Sequence, residues 1–103
     1  MDEIQDYEVF AEREFRSRNI AGEEAQVILR IGKPQKRAHG VSVWYCSVQI
    51  IGIGDEKIVA VAGADSLQAL LSGLQIGPVL LRGFAKSEQK RITYLGQDDP
   101  GFQ

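Results

Sequence analysis

One histidine, His39, and one cysteine, Cys46, occur among the 103 residues, and that count limits the chemistry the chain can support. A zinc site needs three or four such ligands at short spacings, so this pair does not make one. A hard cation would have to draw on the adjacent acids Glu23 and Glu24 or Asp98 and Asp99. Neighbouring acids in surface turns are ordinarily solvated, and neither a metal nor a cofactor is expected. Nucleophilic catalysis asks for a nucleophile, a base and a group that orients the base. His39 follows Lys33, Lys36 and Arg37, whose positive charges disfavour a second proton on the ring and supply no carboxylate partner. Ser42 and Ser47 fall in a strand-like run with no motif around them. Cys46 alternates with Trp44 and Val48, which reads as a small buried hydrophobe rather than a reactive thiol.

Phosphate binding fares no better. Gly52-Ile53-Gly54 lacks the third glycine of a dinucleotide turn and the Gly-Lys-Ser/Thr of a P-loop, and no helix follows it. The basic loop Lys33-Pro34-Gln35-Lys36-Arg37 has no interleaved aromatics, so nucleic acid is not the expected partner. The formal charge of −2 agrees, because a dedicated DNA binder is usually basic. What stands out is charge segregation. Residues 1–24 hold eight acids and three bases, whereas residues 25–50 hold four bases and no acid. An acidic face on a small rigid domain suits the capture of a basic protein; such acids also keep an edge strand soluble and unpaired.

The elements that must carry these residues follow from hydrophobic spacing. Asp65 starts a helix as N-cap, with Gln68 completing a capping box. Leu67, Leu70, Leu71 and Leu74 then follow one helical stripe and are expected to face the sheet. Gly77-Pro78 should break or kink this helix, with Val79 to Phe84 continuing as a further segment. Residues 4–15 fit either a short helix or a strand in which Ala11, Arg13 and Phe15 share one face and Glu12 and Glu14 the other; a strand from about Phe10 is preferred. Ala25 to Ile31 alternates as a strand and ends at Gly32-Lys33-Pro34. Val41 to Ile51 puts Trp44, Cys46, Val48 and Ile50 toward the helix, and Gly52 to Asp55 turns the chain into a strand over Lys57–Ala62. There the small side chains of Ala60 and Ala62, with Gly63 after them, would let the helix approach. Arg91 to Leu95 is the last strand. The expected fold class is α+β: an antiparallel meander in the order β-β-β-β-α-β with one main helix on one face. Residues 1–103 form a single domain, with 1–8 and 97–103 loosely ordered. The acidic N-terminus is unlike a signal peptide and no run is long enough to span a membrane, which points to the cytoplasm.

The pattern Trp44-Tyr45-Cys46, Ile50, Gly52, then Gly63-Ala64-Asp65-Ser66-Leu67-Gln68-Ala69-Leu70, Ile76-Gly77 and a closing Gly101-Phe102 resembles a family of small uncharacterised bacterial domains. Ala11-Glu12-Arg13 and Arg30 to Pro34 share the likeness, and Gly73 and Pro78 depart from it. The resemblance implies no activity that can be placed on residues. By analogy of size and charge, the expected function is a non-catalytic immunity protein of a contact-dependent growth inhibition system. It would bind a cognate bacterial toxin domain through Glu12, Glu14, Glu23, Glu24, Asp98 and Asp99. The alternatives are a small nucleic-acid binder using Arg30, Lys33, Lys36 and Arg37, or a self-associating structural module.

Overall fold

The structure, a computed structural model, describes residues 7–37 and 43–98. The fold is α+β, an antiparallel sheet with, among the described residues, a single helix packed on one face. Five strands precede the helix: β1 (Val9–Arg18), β2 (Glu24–Gly32), the two-residue β3 (Gln35–Lys36), β4 (Trp44–Ile51) and β5 (Val59–Gly63). Helix α1 (Ser66–Ser87) then leads to β6 (Arg91–Tyr94) and the short β7 (Gln97–Asp98). β3 and β7 are additions to the expected order. β3 continues β2 along the same side of β4 after the interruption at Lys33-Pro34, since Ile31 pairs with Val48 and Gln35 with Tyr45. β5 takes the other side of β4, and β6 lies beside β1. The helix therefore carries the chain from one edge of the meander across to the other.

Alternation decides which faces are dry. Phe15, Val27, Leu29, Ile31, Cys46, Val48, Ile50 and Ile92 are buried, with Trp44 half-buried against them, and β4 presents to the helix the face expected of it. β1 is a strand, with Ala11, Arg13 and Phe15 opposite Ile31, Leu29 and Val27. Glu12 and Glu14 lie on the outer face, opposite Arg30 and Ile28.

The helix differs from expectation in two ways. Its leucine stripe does not face the sheet: Leu67, Leu71 and Leu74 are 62, 50 and 46% exposed, and only Leu70 is partly covered. The buried positions are Ala69, Gly73, Gly77, Pro78, Leu81 and Ala85. A four-residue row of mostly small side chains lets the backbone lie close to the strands; a Cβ on Gly73 would sit 2.7 Å from Cys46 Sγ. Cys46 and Val48 fill the space at Gly73, and Leu29 and Ile31 that at Gly77. Val61, not Ala60 or Ala62, faces the core from β5, and both alanines are exposed.

The helix also runs unbroken through Gly77-Pro78 to Ser87. Pro78 has no N–H to give the Leu74 carbonyl, but Leu74 lies on the exposed flank where water can serve it. Beyond the proline, Leu81 and Ala85 are buried, and that packing holds the last two turns in line. At the start, Asp65 accepts from the Gln68 N–H at 2.7 Å, as a cap should. Gln68 reaches back one residue further than expected and accepts from the Ala64 N–H. At the far end, the Glu88 carboxylate accepts from the Gly54 N–H at 2.8 Å, which ties the helix to the β4–β5 turn. That hydrogen bond, followed by the one from Lys90, holds the Glu88 carboxyl below its ordinary pKa.

Candidate functional site

The acids of β1 and the first hairpin do not form an unbroken negative surface. On the outer face β1 reads Glu12, Glu14, Arg16, Arg18, and β2 answers with Arg30 and Glu24. Arg30 Nε donates to Glu12 Oε2 at 3.1 Å. Arg18 donates to Glu24 at 2.7 Å and Arg16 lies 3.9 Å from it, so the Glu24 carboxyl is held below its usual pKa, chiefly by the Arg18 hydrogen bond. Glu23 is engaged locally: Asn19 Nδ2 donates to its carboxylate, and its own N–H donates to Asn19 Oδ1, both at 2.9 Å. Glu23 and Glu24 are thus both engaged within the first hairpin. Asp98 pairs in the sheet with Thr93, which in turn pairs with Arg16. Asp99 lies outside the described residues, as do His39, Ser42, Gly101 and Phe102.

Two of the six expected contact residues do come together, at a groove of about 560 Å³. Its cause is a mismatch in strand pairing. β1 pairs with β2 from Val9 to Arg18 but with β6 only at Arg16–Arg18. Past Arg16 the two strands part, and among the described residues no strand occupies the outer edge of β1 over residues 9–14. Glu12, Arg13, Glu14 and Arg16 line one wall; Tyr94, Leu95 and Gly96 of the β6–β7 hairpin line the other. On the helix side the Arg13 guanidinium lies 4.3 Å from the centre of the Tyr94 ring, and that ring packs at 5.7 Å on Phe15. The hairpin wall was not legible in the sequence, because β6 reaches β1 only through the helical crossover.

The remainder of the outer face is polar and largely occupied with itself. Tyr7 lies against Gly32 and donates to Gln49 Oε1 at 2.7 Å, while Gln49 Nε2 donates to the Glu56 carbonyl. Burial raises the Tyr7 pKa, and Arg30 acts against that rise. Tyr45 donates to Gln35 at 2.6 Å and has Arg37 at 5.8 Å over its ring. Of the bases considered for phosphate contact, Arg30 is committed to Glu12, while Lys33 and Lys36 are exposed. The Ser47 hydroxyl is buried and has no hydrogen-bond partner among the described residues.

Cys46 is fully buried; its thiol donates to the Gly32 carbonyl at 3.3 Å, and burial raises its pKa. Because the thiolate is the reactive form, a thiol reagent should label the native protein on the order of 100-fold more slowly than the unfolded chain. Rapid native labelling, followed by absorbance, would contradict this burial. Among the described residues no three His, Cys, Asp or Glu side chains are grouped to hold a metal ion, and no helix is long and apolar enough to cross a membrane.

No curated protein and no solved structure matches the chain. Residues 11–103, which include both walls of the groove and the whole helix, match the Domain of unknown function DUF6968, and the chain belongs to that family.

Proposed function

We propose that this chain is a non-catalytic protein-binding module that receives an extended, basic segment of its partner along the outer edge of β1. The observation that carries the reading is that, among the described residues, no strand pairs with the outer edge of β1 over residues 9–14, beside a groove lined by Glu12 and Glu14 together with Arg13 and Arg16. A strand added there gains main-chain hydrogen bonds from the sheet, and the carboxylates select for positive side chains at alternate positions. The proposed partner is a cognate bacterial toxin domain, in the manner of an immunity protein acting in the cytoplasm. Chain size and the acid-rich first segment support it. The groove supports a contact at Glu12 and Glu14 over one at Glu23 and Glu24, whose side chains bond within their hairpin.

Calorimetric titration with the basic toxin domain encoded beside the gene tests this. Glu12→Lys combined with Glu14→Lys should weaken binding by at least about 10-fold and flatten its salt dependence. Glu23→Lys combined with Glu24→Lys should change it by less than about 3-fold. The reverse ranking, or no binding by the parent chain, would remove the proposal.

A further inference from the structure

The β6–β7 hairpin turns on a residue poorly suited to its backbone. Thr93 pairs with Asp98 and Tyr94 with Gln97, which leaves Leu95 and Gly96 as a two-residue loop. Both have positive φ, 52° and 80°, as in a type I′ turn. Asn, Asp and Gly favour the first position of that turn, whereas leucine is uncommon at positive φ. Burial does not offset the strain, because Leu95 is 83% exposed. It stands instead on the groove wall across from Glu12 and Glu14.

We propose that Leu95 is a specificity contact of this groove, and that the segment received there reads, from its N-terminus, apolar–cation–any residue–cation. This contact presupposes the strand addition at β1 proposed above. β1 pairs antiparallel with both of its neighbours, and a strand added the same way to residues 9–14 runs as β6 does, toward Val9. Its first cation then comes opposite Glu14 and its second, two residues on, opposite Glu12, on one face of the ladder. Arg13 turns to the helix side over Tyr94, Arg16 lies 3.9 Å from Glu24, and Glu14 has apolar Ile28 opposite it on β2. The incoming cation therefore supplies a countercharge that β2 does not. The residue before it finds no place in the ladder, since the Tyr94 ring already packs on Phe15, and its side chain comes against Leu95. A second copy of β1 is selected against, because pairing about a two-fold at residue 12 or 13 sets like charges opposite each other.

Fluorescence anisotropy of a labelled synthetic peptide, Leu-Lys-Thr-Lys-Thr-Lys, titrated with the full chain tests this. Replacing the peptide's leucine by serine should weaken binding by at least about 5-fold, the size of one well-packed contact. The same residues in reverse order should bind like the serine peptide. Leu95→Asn should weaken the leucine peptide as much, leave the serine peptide unchanged, and raise the thermal midpoint, since asparagine tolerates the turn. Glu12→Lys with Glu14→Lys should weaken every peptide by at least about 10-fold. Loss with the Glu12 and Glu14 changes but none with Leu95→Asn overturns the Leu95 contact and leaves the strand addition standing. A parent chain that binds none of the peptides, or binds them equally well after the Glu12 and Glu14 changes, overturns both. A thermal midpoint lowered by Leu95→Asn would put the leucine there for stability and overturn the contact alone.

Discussion

Gly63→Ala is expected to destabilise the fold by about 3 kcal/mol, the upper range for a small overpacking substitution. Gly63 ends β5 just where the helix begins, and a Cβ there would fall 2.3 Å from the Ala69 nitrogen and 2.7 Å from its Cα. Those are main-chain atoms in the second turn of the helix, so no side-chain rotation relieves the contact. Either the helix start lifts from the sheet or β5 shifts against Trp44, its partner in the ladder. For a domain of this size about 3 kcal/mol lowers the melting temperature by roughly 12–24 °C. Urea unfolding followed by circular dichroism measures the loss, and a shift below about 1 kcal/mol would mean that the helix does not sit this close.

The second large effect separates the buried flank of the helix from the exposed one. Leu81→Ala should cost about 2–5 kcal/mol, because Leu81 is fully buried beneath the helix and its loss leaves a cavity. Leu71→Ala should change stability by less than about 0.5 kcal/mol, since its side chain is half exposed. Equal losses at the two positions would restore the leucine stripe to the core. The comparison is informative because a hydrophobicity count treats both residues alike.

Much of the fold was legible because alternation and capping are local. The two faces of β1 and of β4, the turn after Ile51 and the Asp65 cap each follow from residues within one or two turns of chain. The acids proposed for contact were legible only as charges. Whether Glu24 is available depends on Arg18 across the hairpin, and whether Glu12 and Glu14 border a groove depends on where β6 stops pairing. The helix was misread for a related reason. Leucines mark an apolar stripe whichever way it points, and the glycines that mark the sheet-facing side are ordinarily counted against a helix.

By itself the sequence determined the class of fold, the identity and polarity of most strands, and the lack of a histidine–cysteine metal set. Those depend on composition and on periods of two and about 3.6 residues. Only the tertiary structure decided which side of the helix is buried, that the helix continues through Pro78, and that, among the described residues, β6 pairs with β1 only at Arg16–Arg18. Each is settled by distance to a surface assembled from remote parts of the chain, and the small side chains that permit close approach leave no hydrophobic signal of their own.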